Sequence, residues 1–173
     1  MNQAARPGVG TPFPAMTWPA VGGGVIDIAG TSGWRILVIY RGRHCPLCKT
    51  YLTTLDKMLE EFTAAGIGVV AISSDPAEKA AADVAQFGWR FPVGHDLTPD
   101  QIRTLGLYLS APRTPQETDR PFAEPGLFVV NAENIVQAVD ISNAPYARPD
   151  LAALLRGIVL VRDRGLPVRG TMA

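Results

Sequence analysis

Trp34-Arg35-Ile36-Leu37-Val38-Ile39-Tyr40-Arg41-Gly42-Arg43-His44-Cys45-Pro46-Leu47-Cys48 is the stretch whose reading decides the fold of this chain. The uninterrupted apolar run from Ile36 to Tyr40 predicts a strand over 35–40 covered on both faces, as in a parallel sheet. A short basic turn, Arg41 to His44, follows it. Beyond the turn, Leu47, Tyr51, Leu52, Leu55, Met58, Leu59 and Phe62 recur at spacings of three and four, the stripe of one long amphipathic helix. Pro46 suits the first helical position, where its missing N–H would have had no partner. Gly66 is placed to stop the helix in the left-handed region.

The chain has two cysteines, and both lie at this junction. Cys45 sits at the mouth of the helix, where free N–H groups and the positive end of the helix dipole favour a thiolate. Cys48 lies one turn in, within reach of a disulfide. Two buried structural thiols are one alternative. A zinc site is another, but Cys45, Cys48 and the adjacent His44 fall one ligand short, and the remaining histidine, His95, is remote in sequence. A redox pair is the reading that uses the spacing, the strand before it and the helix after it together. No metal and no cofactor is expected. Arg41, Arg43 and His44 are expected to add positive potential at Cys45, and His44 to tune it or gate a proton.

With 173 residues, 47% hydrophobic and 18% charged, the chain has the size and composition of one globular domain with a real core. The tails are expected at 1–7 and 166–173. Lys plus Arg and Asp plus Glu balance at 16 each, which gives no general pull toward nucleic acid or an anionic membrane. The first twenty residues lack the pattern of an export signal, and no apolar run is long enough to span a bilayer. A cytoplasmic location is therefore expected, and in such a reducing compartment a C-x-x-C pair is catalytic more often than structural.

Upstream, the Gly- and Pro-rich residues 1–33 suggest short strands at 16–19 and 25–29. Downstream, 67–73 reads as a second buried strand, so that strand, helix and strand form a right-handed crossover. Asp75-Pro76-Ala77-Glu78 reads as a capped helix start, running to Phe87 before Gly88. Phe91–Gly94 is extended, and Thr98-Pro99-Asp100 opens a short helix. Residues 110–125, with Pro112, Pro115, Pro121 and Pro125, read as an exposed loop whose length suggests that it borders a site. Gly126–Val130 and Ile135–Ile141 form a hairpin around Asn131–Asn134. Arg148-Pro149-Asp150 begins a last helix with an apolar face from Leu151 to Val161.

Together these features resemble the thioredoxin superfamily, and within it the peroxiredoxin-like branch of alkyl hydroperoxide reductase and thiol-specific antioxidant type. The strand leading to Cys45-Pro46-Leu47-Cys48 on a helix start carries the resemblance, with Val9-Gly10-Thr11-Pro12-Phe13, Val25-Ile26-Asp27-Ile28 and Pro125-Gly126-Leu127-Phe128-Val129-Val130-Asn131. It implies an α/β thioredoxin-like fold: a central mixed sheet of about five strands with helices on both faces. Two positions depart from the peroxiredoxin pattern near Cys45. Val38 stands where that pattern has proline, and Gly42 where it has a Thr or Ser hydroxyl. A third departure is Pro125, in the place of an arginine. Proline there resembles instead the thioredoxin proline, which implies a cis peptide bond facing the cysteines.

The resemblance implies a thiol–disulfide oxidoreductase, of antioxidant character, in which Cys45 attacks and Cys48 resolves, supported by Pro125, His44 and Arg43. Its partners would be a thiol or disulfide electron donor, or a protein disulfide. A two-cysteine peroxidase reducing hydrogen peroxide or organic hydroperoxides is the rival, with an assisting arginine drawn from Arg43, Arg113, Arg120 or Arg148. A non-catalytic binding or redox-sensing module is the third reading. The family also leaves room for a homodimer.

Overall fold

The structure, a computed structural model, describes residues 7–172. The expected N-terminal tail therefore lies, but for Pro7, outside the described residues, and residues 166–172 carry no helix or strand. From the N-terminal side, β1 (Thr17–Pro19) and β2 (Val25–Asp27) form an antiparallel hairpin. Then come β3 (Trp34–Ile39), α1 (Pro46–Lys57), α2 (Leu59–Ala64) and β4 (Ile67–Ile72). α3 (Ala77–Phe87), β5 (Val93–Gly94) and α4 (Pro99–Thr104) follow. The short strands β6 (Leu109–Ser110) and β7 (Phe122–Ala123) pair with each other. β8 (Gly126–Val130), β9 (Val136–Ile141) and α5 (Leu151–Asp163) complete the chain.

The main sheet has five strands in the order β5-β4-β3-β8-β9. β3 is parallel to β4 and antiparallel to β8, so the sheet is mixed, and β3 lies at its centre. The period of two along β3 sends alternate residues to opposite faces. Ile36, Val38 and Tyr40 join a core containing Cys45, Cys48, Leu52 and Leu55 of the cysteine helix, with Leu151, Leu155 and Ile158 of α5. Leu37 and Ile39 join the other core, with Phe13, Trp18, Ile102 and Phe128. Both faces are thus dry, as the apolar run from Ile36 to Tyr40 requires.

Three expectations are corrected. The long helix after Cys45 is two helices meeting at Met58, whose φ and ψ are −94° and 1°. The Asp56 carbonyl, which a continuous helix would give to the N–H four residues on, accepts from Arg90 Nη2 at 2.7 Å. Asp75 does not cap α3: the helix begins at Ala77 with Pro76 at the cap position, and no side chain bonds to its first turn. The Asp75 carboxylate accepts instead from the Arg43 N–H at 2.6 Å. Nor is 110–125 simply an exposed loop. Phe122, Ala123 and Glu124 are buried, and Thr118 is buried too, because the segment folds back over the basic turn.

Candidate active site

The turn between β3 and α1 is held from beneath. Gly42 has φ of +124°, a conformation that glycine adopts without cost, and its carbonyl accepts from the Cys45 N–H at 3.1 Å. A Cβ at this position would lie 2.7 Å from both carboxylate oxygens of Asp75. Glycine stands here because the carboxylate that bonds Arg43 N–H occupies the side-chain space. Gly42→Thr, which would supply a hydroxyl there, should therefore destabilise the protein by about 2–3 kcal/mol through steric clash and φ strain. Urea unfolding of the two proteins side by side measures it, and equal midpoints would refute the packing argument.

Cys45 is the N-cap of α1, with extended φ and ψ of −106° and 102°, and Pro46 follows at the first position. Its Sγ accepts from the Cys48 N–H at 3.4 Å. A hydrogen bond from the Cys48 thiol holds the Cys45 thiol down at about 6. Burial opposes this, and the Cys48 N–H, Arg41 and Arg148 add to it. Cys48 is pushed far up, first by burial and then by giving its proton to Cys45, with Arg148 working the other way. The two sulfurs are free thiols, 2% and 0% exposed. Cys45 is thus the more acidic sulfur, as expected, but it is not an open one. Arg148 Nη2 donates to Cys48 Sγ at 3.0 Å.

A thiol with thiolate character at a helix N-terminus, with a second thiol one turn away, is what attack on a disulfide S–S or peroxide O–O bond, and resolution of the resulting adduct, require. The AhpC/TSA family model matches residues 9–139. The chain belongs to the AhpC/TSA family.

As a member of that family it is a thiol-dependent oxidoreductase with a thioredoxin-like fold. It is 31% identical to the peroxiredoxin Rv2521 of Mycobacterium tuberculosis over 109 residues, which are 62% of this chain and 69% of that protein. Among solved structures it is similar to peroxiredoxin 6 of Arenicola marina, with a TM-score of 0.78 at 17% identity over 92% of this chain and 75% of the other. It is also similar to the peroxidoxin BcpB of Mycobacterium tuberculosis, with a TM-score of 0.69 at 18% identity over 92% and 97% of the two chains.

The side chains proposed from the sequence of this AhpC/TSA protein reach the cysteines unequally. His44 packs its ring edge on Phe122 at 4.5 Å, and neither ring nitrogen has a hydrogen-bond partner. Burial, then Arg41, lowers it to about 4, so at neutral pH it is an uncharged wall beside Cys45. It adds no positive potential. Arg43 turns away, its Nη1 pairing with the wholly buried Asp83 at 2.5 Å. Arg41 lies 4.8 Å over the Phe122 ring and pairs with Glu117 at 3.5 Å and Glu124 at 3.3 Å. Those pairs strap the 110–125 segment to the turn.

The Pro125 peptide bond is trans, and among the described residues no peptide is cis, which corrects the expectation drawn from thioredoxins. Its carbonyl accepts from Ser142 N–H at 3.0 Å, and Glu124 N–H donates to the Tyr108 carbonyl at 2.8 Å. Extended pairing therefore runs through Pro125 from β7 into β8, and a trans bond keeps that line straight. Pro125 lies beside Tyr51 and Arg148 rather than presenting a kinked backbone to Cys45.

Arg113 and Arg120 are engaged elsewhere, with Glu117 at 3.0 Å and with Asp119 at 3.2 Å. Sequence reasoning missed Asp75 as the prop of the turn, and Tyr51 as the ring beneath Arg148, 5.1 Å from the guanidinium carbon. Gly42 next to the cysteines was the one available signal for the first. A groove of about 400 Å³ is lined by Leu47, Tyr51, Pro145, Tyr146 and Arg148 among others, and by neither cysteine. Leu47 and Tyr146 are 49% and 81% exposed in it. Among the described residues, no three His, Cys, Asp or Glu side chains gather as a metal site, and no helix is long and apolar enough to cross a membrane.

The depressed Cys45 value carries a prediction. Iodoacetamide labelling of Cys45 in the reduced protein should rise with pH around a midpoint near 6, not near the 8.5 of an ordinary thiol. The sign for stability follows from the same shift. An acid depressed in the folded state stabilises it above the unfolded value, and that contribution is lost as pH falls through about 6. The melting temperature of the reduced protein, relative to Cys45→Ala, should therefore climb between pH 6 and 9. A flat difference, or a labelling midpoint above 8, would count against the hydrogen-bonded thiolate.

Proposed function

We propose that this protein is a two-cysteine peroxidase that closes a Cys45–Cys48 disulfide within one chain and is reopened by an external thiol. The observation that carries this reading is the pair itself: Cys45 caps α1 and has the Cys48 N–H directed at its sulfur, and its thiol pKa is lowered by these neighbours. Cys45 thiolate attacks the outer oxygen of a hydroperoxide. The S–O bond forms, the O–O bond breaks, and the departing alkoxide or hydroxide takes a proton to leave as alcohol or water. Cys48 then displaces the sulfenic hydroxyl as water and forms the disulfide.

A second reading is supported by the surroundings of Cys45. Gly42 offers no hydroxyl to a peroxide, and the arginine that touches the pair bonds to Cys48. Such a site suits thiol–disulfide exchange with a protein disulfide, for which the exposed Leu47–Tyr146 groove is a docking surface. Both readings place the protein in a reducing compartment such as the cytoplasm, where a thiol donor is at hand. They are compatible with a homodimer.

Peroxide consumption with dithiothreitol, measured beside reduction of a model protein disulfide, separates them. Consumption of hydrogen peroxide or cumene hydroperoxide that disappears in Cys45→Ser supports the peroxidase. Disulfide reduction without peroxide consumption leaves exchange as the function. Inertness toward both oxidants would leave the non-catalytic module.

A further inference from the structure

We propose that Arg148 is a catalytic residue of the second cysteine: it carries the charge of Cys48 Sγ when that sulfur attacks Cys45 and when it leaves. The inference rests on the redox reading above. Arg148 reaches the pair from the loop before α5, a hundred residues along the chain from Cys48. Its Nη2 donates to Cys48 Sγ at 3.0 Å, and its Nη1 is anchored on the Pro145 carbonyl at 2.5 Å. The guanidinium lies on Tyr51, whose hydroxyl bonds the Pro149 carbonyl at 2.9 Å, so the ring and the arginine loop hold each other.

Charge bookkeeping singles this arginine out. Arg41, Arg43, Arg113 and Arg120 all have carboxylate partners within 4.0 Å. Arg148 has none among the described residues, and its Nε is buried without a hydrogen-bond partner. The one group its charge meets at hydrogen-bond distance, other than a backbone carbonyl, is a wholly buried sulfur. A buried thiolate without a counter-charge is costly, and a guanidinium already in contact offsets part of that cost.

In the oxidative half, Cys48 thiolate attacks Sγ of the Cys45 sulfenic acid. The S–S bond forms, the S–O bond breaks, and hydroxide leaves with a proton as water. In the reductive half, an external thiolate attacks Cys45 Sγ, and the S–S electron pair returns to Cys48 Sγ against Arg148. A second external thiol then frees Cys45, and the external pair leaves as a disulfide. Arg148 acts on the same atom in both directions, as a leaving-group thiol of lower basicity departs faster.

Diamide-oxidised protein, opened by dithiothreitol and followed by quenching and mass, tests the assignment in the full chain. In Arg148→Met the disulfide should open about tenfold more slowly. Its equilibrium with glutathione should shift about 10- to 100-fold toward the disulfide, the scale of one charged hydrogen bond. Arg148→Lys, which keeps the charge, should recover much of both, and Arg148→Gln little. The pH dependence of opening follows the thiolate fraction of dithiothreitol and should be alike in all the variants, so that the rates differ at every pH by the same factor. The groups that face Cys48 in these profiles are Cys45, Tyr40 and Arg148. Equal opening rates and equal equilibria in wild type and Arg148→Met would overturn the assignment, as would equal losses in Met and Lys variants. If Arg148→Met does not fold, the contrast between Lys and Gln variants decides the question. A wild-type pair that never closes with diamide sinks the redox reading, and this assignment with it; closure with unchanged opening sinks the assignment alone.

Discussion

Cys45→Ser is expected to remove turnover with every oxidant, by on the order of 10³-fold or more, the loss that follows removal of an enzymatic nucleophile. The serine hydroxyl at the same N-cap would keep the helix capped, since serine is itself a favoured cap residue. Fold and stability should therefore survive, and the loss would be chemical. Cys48→Ser should behave differently. Cys45 remains at the helix mouth, but nothing within the chain displaces what it binds. Peroxide should then accumulate a dimedone-reactive sulfenic acid at Cys45, and a disulfide oxidant a trapped mixed disulfide. Mass spectrometry of the intact variants reads both outcomes. Trapping through Cys48 in the Cys45→Ser protein, at a rate comparable to wild type, would reverse the assignment of the two sulfurs.

Arg35→Met is expected to cost about 3 kcal/mol or more, although it replaces a charge buried in the fold with an apolar chain of similar length. Arg35 is 2% exposed on the central strand. Its Nε donates to the Ile28 carbonyl at 2.8 Å, and its Nη1 to the carbonyls of Gly33 at 2.6 Å and Asn131 at 3.1 Å. Its Nη2 reaches Asn134 Oδ1 at 2.6 Å. One side chain thus ties the loop after β2 to the turn between β8 and β9. Methionine would fill the volume and leave those oxygens without donors, at about 1–3 kcal/mol for each group that stays buried. For a domain of this size that is a fall of about 6–12 °C in melting temperature. Calorimetry of the reduced proteins measures it, and a variant within 2 °C of wild type would mean that the loops find other donors. The redox chemistry should be unaffected in the surviving folded protein, because these bonds lie at the strand end opposite the cysteines.

The order of elements was legible because each is a local pattern. The apolar run at 36–40 is β3 with its buried flanks, and the helical stripe from Leu47 placed Leu52, Leu55 and Phe62 in the core. The Cys45-Pro46 pair marked the cap and first position of α1 by the chemistry of a missing N–H. Even the central mixed sheet followed, since a buried crossover demands parallel strands and the 126–141 hairpin an antiparallel pair. Where reading failed, a distant group had intervened. The helix after Cys45 stops at Met58, where the Asp56 carbonyl accepts from the distant Arg90. The acids Glu117 and Glu124 found Arg41 and drew a proline-rich segment over the turn.

By itself, then, the sequence determined the kind of fold and that its two cysteines stand one turn apart at a helix N-terminus, because spacing along a helix is a property of the chain alone. Tertiary structure alone decided the electrostatics of those sulfurs. Of five arginines that could have served them, the neighbours Arg41 and Arg43 are paired with carboxylates, while Arg148, a hundred residues away, rests on Cys48. It also decided that His44 is neutral and that Pro125 is straight. Charges act through space and through burial, and neither distance nor burial is written in the order of residues until the sheet has brought its ends together.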